Sequence, residues 1–456
     1  MQVPILSGVK ASGQAEFSRA YPVNLEPVAT DSGISKGQLR APAGAAACST
    51  GPGIDRGGID WSGRHIRVMG TKLVRIEACG DALVLGEVGG SGQVTFDYSF
   101  DKLAIRSGTS LFYYDGASVT QVTDPDLGAV TDLIWIDGYF MITDGTYVVV
   151  TELSDAYQVL PTKYGSAEED PDPITGLVKV KGEAYAIGRY TCQPFRNVGG
   201  NGFPFQVIRG GTIPYGAVSA SAKCLFAESF AFVGSARGEA LGVYVAGAGT
   251  AEKISTREID DALAAEGDPG SIVLENRSSR NERRLVVRLA GETWTFLASA
   301  TQKIGEGVWY RGSGRLINAV LVGQSWFVGD RDSASAGRLS YDVATEFDAE
   351  REWQLFGGLL YNEGRGGIVH SVELVGLPGR APEGDASTAF LSLTCDGETF
   401  SMERRIDLGG PGERRRRLIW RPNARFTNYL GIRIRGVGKA MPGFARLEVE
   451  AEPLNV

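Results

Sequence analysis

LAIRSGTSLFYYDG, residues 103–116, and LIWIDGYFMITDG, residues 133–145, are two copies of one small module. A short apolar strand meets a Gly or Asp-Gly turn and returns as a second apolar or aromatic strand, the pattern of a tight β-hairpin. In the second copy Leu133, Trp135 and Ile142 alternate with less apolar neighbours, and Asp137-Gly138 is the expected turn. Looser copies begin near His65, Leu177, Leu225, Leu285 and Ala319. Of these, RLVVRLAGETWTFL (284–297) is expected to turn at Ala290-Gly291 and AVLVGQSWFVGD (319–330) at Gly323-Gln324. The seven starts lie about 42 residues apart on average, within the roughly 40–50 residues of a β-propeller blade. Individual spacings are irregular, so the reading is an all-β, irregular β-propeller of six or seven blades.

Bulk composition agrees. Gly accounts for 62 of 456 residues, as many tight turns require, and a hydrophobic content of 43% supports a buried core. The formal net charge is −8, which argues against a non-specific nucleic-acid binder. Residues 351–456 carry a small excess of Lys and Arg, so the acidity resides in the propeller region. The five cysteines, Cys48, Cys79, Cys192, Cys224 and Cys395, are scattered and form no CxxC pair, so a disulfide framework is not expected and a reducing compartment is. The N-terminus MQVPILSGVK does not read as a secretion signal, and no run of 18 apolar residues suggests a transmembrane helix.

Three regions follow. Residues 1–55 read as an extended arm, with APAGAAACSTGPG (41–53) its least structured part. Residues 56–350 form the propeller. Residues 351–456 carry longer alternating strands, at 367–377, 389–406, 416–423, 430–438 and 444–452, and read as a β-sandwich platform formed with the arm. Two stretches interrupt the propeller: the acidic loop SAEEDPDP (166–173) and a helix, STREIDDALAAEG (255–267). Ser255 and Glu258 suggest a capping box for that helix, and Ile259 and Leu263 an apolar i,i+4 pair, decorating one blade.

Chemistry is sparse, and no catalytic, metal or cofactor residue is assigned. His65 and His370 stand alone, without Cys or carboxylates at metal-ligand spacing, and there is no GxSxG elbow. GGSG (89–92), RNVGGNG (196–202) and VAGAGT (245–250) lack the GK[ST] of a phosphate loop and read as turns. TCDGETF (394–400) approximates the turn of sialidase-type propellers but reads as a hairpin tip at Asp396-Gly397. Carboxylate pairs such as Asp260-Asp261, Glu168-Glu169 and Asp330/Asp332 point to no pocket. The strongest charge run is GERRRRLIWR (412–421). Arg414, Arg415, Arg416 and Arg417, followed by Arg421, Arg425, Arg433 and Arg435, are candidates for contact with a partner protein, with a solvated face or DNA phosphate as the alternatives. Strand alternation sets Arg433 and Arg435 on one face.

Read in order, the local motifs resemble the packaged-DNA stabilisation proteins of short-tailed phages, which form the tail hub or nozzle. The carriers are YPVN (21–24), GGSGQV (89–94), FYYDG (112–116), ITD (142–144) with TEL (151–153), ESFAFVG (228–234), VYVAGAG (243–249) and IST (254–256). The C-terminal rhythm LTCDGETFSMER, RRLIWR, LGIRIR, RLEVE completes the series, while residues 190–215 and 265–283 follow no matching pattern. The resemblance implies a non-enzymatic virion protein, a homohexameric ring below the portal and its tail adaptor. That ring would extend the DNA exit channel and help retain the genome, with a tail needle or plug at the far end and tail spikes or fibres around it. Double-stranded DNA would pass transiently through the lumen, and an acidic propeller would not grip its phosphates. The location implied is the virion tail, and the host cytoplasm during assembly. Tyr21 and Asn24 of YPVN join the arginines as candidate interface residues. The competing readings are a glycan-binding or glycan-cleaving propeller, which would need carboxylate or Arg clusters on several blade loops, and a cellular scaffold, which would show repeated WD dipeptides.

Overall fold

The computed structural model describes residues 1–456 except 12–15, 31–34, 78–79, 154, 168, 280–281, 386 and 455–456. Cys79 and Glu168 therefore lie outside the described residues. Cys192, Cys224 and Cys395 are free thiols.

Among the described residues seven antiparallel sheets of four or five strands form the blades of a propeller, their first strands neighbouring one another around the axis. These first strands are Asp55–Trp61, Thr95–Tyr98, Asp132–Ile136, Ile174–Val180, Lys223–Phe226, Val273–Asn276 and Leu316–Val322, in blades I to VII. The hairpins read from sequence fall one to a blade, but not at the same place in each. In blades I, II and VI they are the second and third strands (Arg64–Met69 with Lys72–Ile76, Leu103–Ser107 with Ser110–Tyr114, Arg284–Arg288 with Thr293–Leu297). In blades III, IV, V and VII they are the first and second, as in Asp132–Ile136 with Tyr139–Thr143. The irregular spacing is this change of phase, and the blade number is seven.

Apolar cores lie between successive blades. Ile66 and Val68 of blade I meet Leu103 and Ile105 of blade II, and Ala104 and Tyr113 of blade II share a cluster with Leu133 and Phe140 of blade III. Sheets buried on both faces have strands that read as near-continuous hydrophobic runs, which is why these hairpins were visible. The Asp137-Gly138 turn has φ of 50° and 91° and joins Ile136 to Tyr139, a two-residue turn whose positive φ at both positions matches the strand twist. In blade VI Arg288 pairs with Thr293, and Leu289 N–H donates to Glu292 O at 2.9 Å, so the turn centres on Ala290-Gly291 as expected.

The largest difference concerns residues 41–53. Gly44–Thr50 is a seven-residue strand that pairs with Ser335–Ser340 and supplies the outer strand of blade VII, closing the ring with the N-terminal part of the chain. Its small residues are required by proximity. A Cβ on Gly44 would stand 2.4 Å from the carbonyl oxygens of Val343 and Thr345, and Ala45 is fully buried. Tertiary pairing thus makes a strand of a sequence with weak intrinsic strand preference.

Gly8–Ala11 and Phe17–Ala20 of the arm pair with each other, and its other strands build the sandwich. Gln2–Val3, Glu26–Ala29 and Gly37–Arg40 join Gly367–Gly376, Ile419–Trp420, Ala424–Phe426 and Gly443–Pro453 in one sheet. The second contains Trp353–Phe356, Leu360–Tyr361, Thr388–Thr394, Arg404–Asp407 and Tyr429–Val437. Val3, Leu25 and Leu39 share a core with Leu355, Val372, Leu391, Ile434 and Leu447. Two expected strands are shorter. The 389–406 stretch breaks at a tight turn in which Asp396 Oδ1 accepts from Thr394 Oγ1 and the Thr399 N–H, both at 2.8 Å. Of 416–423 only Ile419–Trp420 enters the ladder, because the arginine run lies in turns.

The expected helix is Arg257–Ala264, with Ile259 and Leu263 buried, but its cap is Thr256 and no capping box forms. Ser255 instead hydrogen-bonds Asp260 at 2.6 Å, and Glu258 accepts the backbone N–H of Arg19 at 2.7 Å. The approach of the arm claims the residue that would have completed the box. A second helix, Ala298–Ile304, was not anticipated.

Candidate functional site

The structure divides the arginines of the charge run by partner. Arg417 forks onto Glu373 at 2.9 and 2.6 Å, and these bonds hold the Glu373 carboxyl below its usual range. Arg416 lies 2.9 Å from Glu413 and 3.5 Å from Asp407. Arg435 forks onto Glu403 at 2.6 Å on both arms, and its guanidinium lies 4.5 Å from the centre of the Phe390 ring. Arg433 does share that face, as alternation requires; it donates to Ser392 Oγ at 3.2 Å and stacks 3.9 Å over Phe400. These side chains serve the sandwich itself. Arg414 and Arg415 are exposed, with no carboxylate partner among the described residues, and so are Arg421 and Arg425.

Tyr21 is internal, and Asn24 is half-buried. Tyr21 is 5% exposed, meets Trp294 edge-on at 5.5 Å and donates to Thr256 Oγ1 at 2.8 Å. Burial raises its pKa. Val23 exchanges backbone hydrogen bonds with Gln354 of the sandwich at 2.8 and 3.0 Å. On its other side Arg311 of blade VI donates to the Pro22 carbonyl at 2.9 Å, and Asn24 N–H donates to Arg311 O at 2.7 Å. Asn24 takes a left-handed φ of 50°, and its Nδ2 reaches the Glu352 carbonyl at 2.7 Å. YPVN is therefore a strap between propeller and sandwich. Next to it buried Glu26 gathers Arg284 Nε at 2.6 Å, Arg40 Nε at 2.9 Å and the Tyr341 hydroxyl at 3.1 Å.

A second polar group, missed from sequence, sits where the last blades meet the first. Arg67, fully buried in blade I, donates to Asp55 Oδ2 and His65 Nε2 at 2.8 Å and to the carbonyls of Asn318 and Phe327 at 3.0 Å. Asn318 Nδ2 donates to Asp55 Oδ2 at 2.7 Å, while its Oδ1 accepts from Gln93 at 2.8 Å and Arg288 at 3.1 Å. Glu275 of blade VI accepts the Asn318 N–H at 2.8 Å and pairs with Arg277 at 2.8 Å. Burial opposes the Glu275 charge, but Arg277 and Arg288 outweigh it and hold the group down to about 2. Burial, reinforced by Arg67, pushes His65 down to about 3, so its ring is a neutral acceptor. This clasp borders an axial cavity of about 340 Å³ lined by Gly58, Thr95, Lys223, Glu275 and Asn318. The available signal was a charged residue at an inward position of an otherwise apolar strand, Arg67 in HIRVM and Arg288 in LVVRL.

His370 is exposed, 3.3 Å from Glu452. Burial raises the Cys192 and Cys224 thiols, which suits inert core residues. Among the described residues no three His, Cys, Asp or Glu are grouped to hold a metal, and no helix is long and apolar enough to cross a membrane.

The fold is thus a seven-bladed propeller joined to a β-sandwich that includes the N-terminal strands. The chain belongs to the bacteriophage P22 Gp10 family: the β-propeller model of that family matches residues 1–344 and its β-sandwich model residues 352–452. A relative, the tail hub protein gp10 of Salmonella phage P22, is 25% identical over 484 residues, covering 99% of each chain. Solved structures match at low similarity. PorZ of the Porphyromonas gingivalis type-IX secretion system has a TM-score of 0.40 at 11% identity, covering 81% of this chain and 46% of that one. Kluyveromyces lactis Hsv2 has a TM-score of 0.39 at 9% identity, covering 70% and 95%.

Proposed function

We propose that this chain is a structural protein of a phage tail, a hub or nozzle ring below the portal and its adaptor. In this reading it has no enzymatic role. Its copies associate, as a homohexamer, extend the DNA exit channel and help retain packaged DNA. The adaptor lies above, a needle or plug closes the far end, spikes or fibres attach around it, and double-stranded DNA passes through transiently. The protein resides in the virion tail, and in host cytoplasm during assembly.

The observation that carries this reading is the end-to-end match with a protein named as a tail hub, in which both chains are covered almost completely. The strap and the clasp are consistent with it. They tie the ring closed and fix it to the sandwich through buried polar contacts, a construction suited to a rigid scaffold. Gold-labelled antibody against this chain, imaged on phage particles from the same source, tests the reading. Label at the distal tail below the portal vertex is expected. Intact particles without label, beside labelled disrupted ones, would remove it. Reversal of the charges lining the lumen is expected to slow ejection, and unchanged ejection speed would count against the low-friction role of the acidic propeller.

A further inference from the structure

Three loops of the sandwich and the linker 341–345 from blade VII enclose a cleft of about 570 Å³. Each loop contributes one cation: Arg380, Arg414 and Lys439. All three are exposed, and none has a carboxylate partner among the described residues, whereas neighbouring Arg416 and Arg417 are each satisfied by the chain's own acids. Asp342 is the one acidic side chain on the lining. The cleft is thus net positive in a protein whose formal charge is −8.

The loops are bonded to one another, so the cations stand on a fixed frame. Gly412 N–H donates to Gly379 O at 3.1 Å, and Met441 N–H donates to Arg380 O at 3.2 Å. Gly379 N–H in turn reaches Leu408 O at 3.3 Å. Gly379 and Gly412 take φ of 69° and 83°, and a Cβ on Gly379 would meet the Glu413 backbone at 2.7 Å. Between the cations the lining is apolar, with Ala381, Pro382 and Met441.

We infer that this cleft docks an acidic peptide segment of a partner protein, its carboxylates on Arg380, Arg414 and Lys439 and its backbone over the apolar floor. Loops already bonded to one another need no ordering of their own backbone in such an encounter, and Arg is suited to forked recognition of a carboxylate. Nucleic acid fits less well. The volume suits a few side chains and not a duplex. The single aromatic on the lining, Tyr341, has its hydroxyl committed to Glu26 and Arg284, at 3.1 and 3.0 Å. The inference goes beyond the tail-hub reading and stands on the cleft alone, so virion labelling and peptide binding can fail separately.

The test is fluorescence anisotropy of a fluorescein-labelled hexaglutamate peptide with the full chain, alongside a short labelled DNA duplex. Saturable peptide binding that weakens with salt is expected. Arg380→Gln, Arg414→Gln and Lys439→Gln should each weaken it about three- to tenfold, and Arg416→Gln should leave it unchanged. Since the three cations are exposed, urea midpoints of the variants should match the parent. Failure of the parent to bind the peptide, or equal binding by the triple variant, would overturn the proposal. Duplex binding that is lost in the triple variant while peptide binding is not would reassign the cleft to nucleic acid.

Discussion

Arg67 and Asp55 pair at 2.8 Å with both side chains fully buried, at the seam where blade I meets blade VII. Replacing Arg67 with Met removes four donated hydrogen bonds and leaves Asp55 with the Asn318 amide as its remaining side-chain donor. A buried charge stripped of its partner costs about 3–5 kcal/mol. Asp55→Asn strips Arg67 in the same way and belongs in the same range. Once both charges are gone neither residue leaves an uncompensated ion. The double variant should therefore be no less stable than the worse single, with a coupling energy of about 2–3 kcal/mol or more. Urea unfolding followed by Trp fluorescence reads this, because Trp61 of blade I is buried against blade II. Arg435→Gln at the exposed Glu403 pair serves as the control, expected to cost about 0.2–1 kcal/mol. Single variants that cost less than about 1 kcal/mol, or a cycle additive to within about 0.5 kcal/mol, would refute the claim that the seam is held by this pair.

The same clasp sets an acid response. Glu275 is held down to about 2 in the folded chain, so the unfolded chain binds more protons as pH falls from about 4.5 toward 2. Stability present above that window should be lost through it, and Glu275→Gln should flatten the slope in pH-dependent urea melts. His65, pushed down to about 3, acts earlier: below about pH 6.5 the unfolded imidazole takes a proton that the buried one refuses. Decline should thus begin near pH 6.5, and His65→Gln should delay it to the carboxylate range. Gly44→Val forces a Cβ to within 2.4 Å of two carbonyls and should cost about 1–3 kcal/mol, read as faster hydrogen exchange at 44–50 and 335–340. Tyr21→Ala should cost about 3–5 kcal/mol and expose the arm to protease, while Tyr21→Phe, losing the Thr256 bond alone, should cost about 0.5–1.5 kcal/mol.

What was legible in the sequence was local. LIWIDGYFMITDG declares its hairpin because both strands are buried on both faces and its turn needs left-handed residues, conditions that short-range composition can express. The phase of each hairpin within its blade is not local. It depends on which strand faces the axis, and the seven modules read identically whether they are strands one and two or two and three. Gly44–Thr50 was illegible for the complementary reason. Ala and Gly at that strand answer to a neighbour almost 300 residues away in sequence, and small side chains of that kind are the common property of strands in close contact and of loops.

The arginine run shows the same limit at the level of function. Sequence supplied the cations but not the acids that neutralise them. Glu373 and Glu403 reach Arg417 and Arg435 within their sheets, from 44 and 32 residues away in sequence. What separates a structural arginine from an available one is therefore the placement of segments distant in sequence. Within the run itself Arg416 and Arg417 meet carboxylates of the sandwich, while Arg414, at a loop tip of the cleft, meets none among the described residues. Tyr21 and Asn24 obey the same rule from the other side. They were candidates through the resemblance that YPVN carries, yet the arm closes on its own chain, and Thr256, Arg311 and Glu352 bond them. Searching for a partner on this protein thus means subtracting the internal pairs first, and of the cations left after that subtraction Arg380, Arg414 and Lys439 converge at the cleft beside the linker to blade VII.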